Sequence, residues 1–160
     1  MKIAIVSSFP VIIQQLTNLI TTTQNFQIIW TAKNGQEAIK LCAKIVPDLI
    51  IMDLVMPIMD GITATRIIMQ STPCAILMLT NSLSSYPNMV SEAIKLGAID
   101  VLNTPNEDDA NTKILLNKIK AICNLIEQKN NIFHRHTRQI TNNIPLHKNA
   151  HKIETSVDEN

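Results

Sequence analysis

Glycine is scarce. The 160 residues contain three, Gly35, Gly61 and Gly97, widely separated along the chain. No G-x-G-x-x-G, G-x-x-x-x-G-K-[ST] or G-x-S-x-G loop can be drawn from them, which excludes the dinucleotide-fingerprint, P-loop and nucleophile-elbow classes. Aromatic residues are equally few, with one Trp, one Tyr and three Phe, too few for a base-stacking platform. Charge of one sign is also lacking. Fourteen Lys and Arg stand against thirteen Asp and Glu, a formal net charge of +1, without the basic excess that binds a phosphate backbone. Nucleic acid is therefore not an expected partner. The three cysteines, Cys42, Cys74 and Cys123, are odd in number and sit among apolar residues, a pattern that predicts buried thiols rather than a disulfide framework or metal site. The N-terminal apolar stretch, Ile3 to Val6, is too short for a signal-peptide core, and no later run approaches the ~18 residues of a membrane span. A cytoplasmic protein without membrane association is expected.

Apolar residues are abundant. They make up 46% of the chain, against 17% charged, enough to build a sizeable core. Five short aliphatic or β-branched runs recur: Ile3 to Val6, Gln27 to Thr31, Leu49 to Met52, Ala75 to Leu79 and Ile99 to Leu102. Helical spacing separates them. Pro10 opens the first helix, which runs to Thr22 with Val11, Ile12, Leu16, Leu19 and Ile20 on its apolar stripe. Asn34, with Glu37 three positions on, starts a second helix whose stripe is Ala38, Leu41, Cys42 and Ile45 and which Pro47 closes. A third follows Gly61 to about Gln70, and a fourth runs from Pro87 to Leu96 with Gly97 as its left-handed stop. Asp108 or Asp109 caps a fifth, in which Leu115, Ile119, Ile122 and Ile126 share a face. Strands joined through single helices need right-handed crossovers. The expected fold class is therefore α/β: a three-layer α/β/α, doubly wound, five-stranded parallel sheet. The continuously apolar third and fourth strands suit burial on both faces.

In such a sheet ligands bind outside the carboxyl ends of the strands, which directs attention to Ser7 and Ser8, Asp53, Thr80 and Thr104. After about Gln128 the composition changes. All four histidines, His134, His136, His147 and His151, lie there among asparagines, and the expectation is a folded domain over 1–126 followed by a polar, disordered tail over 127–160, with a frayed continuation of the last helix as the alternative for its start. His147 and His151 could share a helical face as metal ligands, but no further ligand stands at suitable spacing.

Asp53 closes its strand in the run Met52-Asp53-Leu54-Val55-Met56-Pro57-Ile58-Met59-Asp60-Gly61. That run resembles the D-x-x-M-P-x-x-D-G segment of response regulator receiver domains. Thr80 ends the fourth strand where that family has its hydroxyl switch, and Gly97-Ala98 precedes the fifth strand as the family expects. A closer resemblance is to the receiver half of chemotaxis-type protein-glutamate methylesterases, carried by Ile29-Trp30-Thr31-Ala32-Lys33-Asn34-Gly35, Thr63-Ala64-Thr65-Arg66, Pro73-Cys74-Ala75-Ile76 and Asn103-Thr104-Pro105. The likeness covers residues 1 to about 126. It implies a flavodoxin-like receiver fold and a two-component, chemotaxis-type signalling role, with no esterase domain following.

The resemblance further implies Asp53 as phospho-acceptor, Thr80 and Thr104 as phosphate contacts, and Mg2+ held by Asp53 and the backbone carbonyl of Val55. It also marks departures. Ser7 and Ser8 stand where an acidic pair would complete the metal site, Thr104 replaces a lysine, and Val101 takes an aromatic position. A phosphorylated receiver and a phosphorylation-independent interaction module are both compatible with this pattern. A free-standing enzyme using Ser7 or Ser8 has no base placed to activate it. By resemblance the partners are a histidine kinase, a downstream effector, and a second copy docking through the fourth helix, fifth strand and fifth helix.

Overall fold

The structure, a computed structural model, describes residues 1–23, 25–105 and 109–142, with side chains described as far as Asn131 except that of Asp109. The elements alternate as expected: β1 (Lys2–Val6), α1 (Pro10–Thr21), β2 (Gln27–Ala32), α2 (Gly35–Cys42), β3 (Leu49–Asp53), α3 (Gly61–Ser71), β4 (Ala75–Thr80), α4 (Pro87–Lys95), β5 (Asp100–Asn103) and α5 (Asp109–Asn142). The strands form one parallel sheet in the order β2-β1-β3-β4-β5. Two compact units are distinguished, Met1–Asn124 and Leu125–Asn160.

In the first unit β3 occupies the centre and is buried throughout. Period-two alternation sends Ala4, Val6, Ile50, Met52, Ile76 and Met78 into one core with Ala38 and Cys42 of α2, Ile62, Ala64 and Ile68 of α3, and Ala93 of α4. The alternate positions, among them Ile3, Ile5, Leu49, Ile51 and Leu77, are also fully buried, as are Leu16 and Ile20 of α1 and Leu115 and Ile119 of α5. Each fully buried aliphatic side chain contributes roughly 1.5–3 kcal/mol over its exposed state, so the sheet's position is determined by two apolar faces at once.

Helix ends follow local chemistry. The Asn34 side chain accepts from the Glu37 amide at 2.9 Å, and the Glu37 carboxylate accepts in return from the Lys33 amide at 2.7 Å. The Asp60 carboxylate accepts from the Thr63 amide at 2.7 Å and starts α3. At the end of α4 the Ala98 amide reaches the Ala93 carbonyl and the Gly97 amide reaches Ile94, both at 3.0 Å, with Gly97 at φ +107°. That paired closure needs a left-handed residue.

Two expectations are corrected. Helix α2 ends at Cys42, short of Pro47, so Ile45 leaves the apolar stripe and is exposed while its carbonyl accepts from the Trp30 indole at 2.9 Å. Val11 points out of the α1 stripe and is 64% exposed. In the second unit the backbone stays helical to Asn142; residues such as Glu127, Gln128 and Lys129 propagate a helix without needing an apolar partner face. The expected cap Asp108, the pair His147 and His151, and the tail from residue 143 lie outside the described residues. The three cysteines carry free thiols, Cys42 and Cys123 buried and Cys74 half-buried. Burial, with the neighbouring Cys42, pushes the Cys74 thiol up to about 12, which keeps it protonated and unreactive.

Candidate functional site

Register brings the expected residues together. Val6 pairs with Met52, and Asp53 pairs with Leu79, so the residues just past β1, β3 and β4 come abreast at the carboxyl edge of the sheet. Thr104 follows β5, and its amide donates to the Thr80 carbonyl at 2.8 Å. A cavity of about 540 Å³ opens there, and Ser8, Asp53, Val55, Thr80 and Thr104 all line it. Ser7 does not line it. That residue is 1% exposed and lies behind the acid, where its hydroxyl accepts from the Phe9 amide at 3.2 Å and its own amide donates to the Ala32 carbonyl at 3.0 Å. Val101 is buried in the core and takes no part in the lining.

Asp53 is 8% exposed. Removing a carboxylate from water disfavours its charged form; burial accordingly pushes Asp53 up to about 6, against an opposing pull from a hydrogen bond with the Ser7 hydroxyl. The acid remains largely ionised at neutral pH. Thr80 is 5% exposed, with its hydroxyl accepting a long bond from the Ser82 amide at 3.4 Å. A hydroxyl in that position keeps its own proton available to an anion.

The loop after β3 holds the acid in place. The Leu54 amide extends the ladder to the Leu79 carbonyl at 2.7 Å, and the Gly61 amide donates to the Leu54 carbonyl at 3.0 Å. A Cβ on Gly61 would collide with the backbone oxygen of Asp53, so only glycine permits α3 to start this close to β3. Between them the Met59 amide turns back to the Pro57 carbonyl at 2.8 Å, with Ile58 at φ +70°. A β-branched residue there is strained, and Ile58 is 80% exposed.

Sequence reasoning missed the apolar part of the lining: Phe9, Val11 and Ile12 from the start of α1, Leu79, and Tyr86 just before α4. Val11 and Ile12 were assigned to a helix stripe instead. Tyr86 could have been found, since it is the chain's one tyrosine and directly precedes the helix-opening Pro87.

The donor set does not suit a resident Mg2+. That ion requires near-octahedral oxygen ligands and is usually bound through one or two carboxylates plus phosphate oxygens. The described residues lining the cavity supply one carboxylate and otherwise neutral hydroxyl, amide and carbonyl groups. Among the described residues no group of three or more His, Cys, Asp or Glu side chains could hold a metal. No described helix is long and apolar enough to cross a membrane.

Comparison with known proteins identifies the setting. The response regulator receiver domain family matches residues 3–115. A protein-glutamate methylesterase/protein-glutamine glutaminase of Mesorhizobium japonicum is 42% identical over 132 residues, covering 79% of this chain and 39% of that protein. One from Pseudomonas savastanoi pv. phaseolicola is 45% identical over 133 residues, covering 81% and 40%. The chain thus spans about 40% of the length of these curated relatives. Among solved structures, the response regulator domain of Thermotoga maritima CheB aligns with TM-score 0.72 and 26% identity over 78% of this chain and 96% of that one. A CheX-CheY-BeF3-Mg2+ complex from Borrelia burgdorferi aligns with TM-score 0.64 and 27% identity over 76% and 88%.

Proposed function

From the premise that this chain belongs to the response regulator receiver domain family, we propose that it acts in signalling by accepting a phosphoryl group on Asp53. The observation that carries the reading is the placement of Asp53 and Thr80 at the ends of adjacent central strands, both nearly buried and both lining one cavity. The family match and the retained acceptor favour a signalling receiver over a phosphorylation-independent module.

The chemistry follows from these groups. An Asp53 carboxylate oxygen attacks phosphorus in line; the new O–P bond forms as the P–N bond of a phosphohistidine breaks, and the leaving imidazole nitrogen takes a proton from solvent. The hydroxyls of Thr80 and Thr104 can donate to phosphoryl oxygens, and preorganised donors of this kind stabilise developing charge. Neither brings positive charge. Mg2+ would supply such charge when bound beside Asp53 and the Val55 carbonyl, but the weak donor set makes it a poor resident. Phosphorylation is therefore slow and demanding of metal concentration. The methylesterase and glutaminase activities in the relatives' names are not assigned to this chain.

Receiver domains work with kinases and effectors, as a solved complex of the P1 domain of CheA3 with CheY6 from R. sphaeroides illustrates at 28% identity. A histidine kinase is the proposed donor here, and a protein effector the proposed reader. Exposed Ile94, Ile99 and Ile114 support a docking or dimer face on α4, β5 and α5. The absence of a crossing helix among the described residues is compatible with a cytoplasmic site of action.

Titration with beryllium fluoride and Mg2+, followed by amide NMR, tests the acceptor. Weak but saturable shifts at Asp53 and Thr80 that vanish in Asp53→Asn are expected. A folded protein showing no shifts at saturating Mg2+ would remove Asp53 as acceptor.

A further inference from the structure

The cavity at Asp53 has a composition that phosphoryl transfer does not explain. Its wall from β1 to α1 is mainly apolar, formed by Phe9, Val11 and Ile12 with the hydroxyl residue Ser8, and Val55, Leu79 and Tyr86 continue that character elsewhere. Among the described lining residues Asp53 is the one charged side chain, and no Lys, Arg or His joins it. The acid is 8% exposed, so its charge is withdrawn from water. Buried charge is costly until a counter-charge arrives. A divalent ion finds too few anionic donors here, whereas one carboxylate matches one positive charge.

Size and shape narrow the ligand. A volume of about 540 Å³ lies within the ordinary range for small-molecule sites, which are mainly apolar with a few placed polar groups. Phe9 and Tyr86 offer ring surface to an apolar body or to the cation itself. Thr80 and Thr104 can accept ammonium protons beside the carboxylate.

We propose that this cavity binds a small organic monocation, a primary ammonium carried on an aryl or alkyl body, with its charge on Asp53 and its body against Phe9 and Tyr86. Such a ligand would occupy the space into which a phosphoryl group must enter, so it competes with phosphorylation. Binding itself does not depend on phosphoryl transfer.

The test uses the full chain at a pH about two units above the acid's titration, without Mg2+ or phosphodonor, so its outcome is independent of whether Asp53 is ever phosphorylated. The probes are 2-phenylethylamine, neutral 2-phenylethanol and ethylamine, each titrated by amide NMR. The expected result is saturable shifts at Asp53, Thr80 and Tyr86 with phenylethylamine, and affinities at least about tenfold weaker for the alcohol and for ethylamine. Asp53→Asn should abolish the amine's advantage over the alcohol, while Phe9→Ala should weaken amine and alcohol together. Equal binding of amine and alcohol, an undiminished amine preference in folded Asp53→Asn, or no saturable shift with phenylethylamine would each overturn the proposal.

Discussion

Two loops meet at the Asp53 cavity, and they are built on opposite terms. The loop from Asp53 to Gly61 is over-determined: Asp60 caps α3, Gly61 fits against the Asp53 carbonyl, and a strained Ile58 is held within a tight turn. The loop from Ser7 to Phe9 is permissive. The residue capping α1, Phe9, makes no side-chain cap bond and is 62% exposed, and the two serines carry no charge. Strain persists only where surrounding structure enforces it. Two requirements of such a site separate here, the position of the acid and the charge around it; the described lining residues meet the first and bring little of the second.

The largest predicted effect breaks the rigid loop. Gly61→Ala forces backbone against backbone and should cost about 3 kcal/mol or more in urea unfolding, with loss of any beryllium fluoride response; an unchanged unfolding midpoint would show that α3 can shift away from β3. Next comes the charge itself. Because the folded Asp53 titrates at about 6 and its unfolded value is 3.8, the folded state holds the proton more tightly. Stability from this group is full below about pH 4 and is lost as pH rises through about 6. Asp53→Asn, which stays neutral, should be more stable than the native chain by as much as about 3 kcal/mol near pH 8 and by about zero near pH 3. Parallel pH curves for the two proteins would refute the burial cost.

Smaller effects sharpen the contrast. Phe9→Ser places an acceptor at the uncapped start of α1 and should stabilise by about 1 kcal/mol, read as a higher melting temperature. Ile58→Gly relieves the positive φ, worth about 1–2 kcal/mol, but adds backbone freedom to the unfolded chain, worth about 0.5–1 kcal/mol. A net gain near 0.5 kcal/mol is expected, and a loss would mean that the exposed Ile58 side chain contributes packing.

The same contrast explains what was readable in advance. Strand positions came directly from continuous apolar runs such as LIIM and AILML, and the starts of α2 and α3 from Asn34, Asp60 and Gly61, because these signals are local. The end of α2 was not readable. Ile45 continues the helical spacing, while the helix ends at Cys42 and the Ile45 carbonyl is taken by the Trp30 indole, a partner distant in sequence. Asp53, Thr80 and Thr104 were legible through strand ends and the receiver-like run. The apolar wall was not, because Val11 and Ile12 fit a core stripe equally well until the sheet edge is seen. The acid's burial likewise depends on neighbours distant in sequence. Helix beyond residue 126 rests on backbone propensity, which leaves no apolar periodicity to detect.

On the proposed function Asp53 is a correctly placed acceptor, and the described residues lining its cavity bring no other charge. The most direct measurement is the rate of phosphoryl adduct formation from acetyl phosphate with Mg2+, followed by intact mass, for the native chain and for Ser7→Asp combined with Ser8→Asp. The account predicts a slow, single adduct on the native chain, absent in Asp53→Asn, and a rate at least about tenfold higher when the two acids are restored, as ~1.4 kcal/mol of added electrostatic stabilisation would give. No adduct on either protein, or equal rates in both, would contradict it.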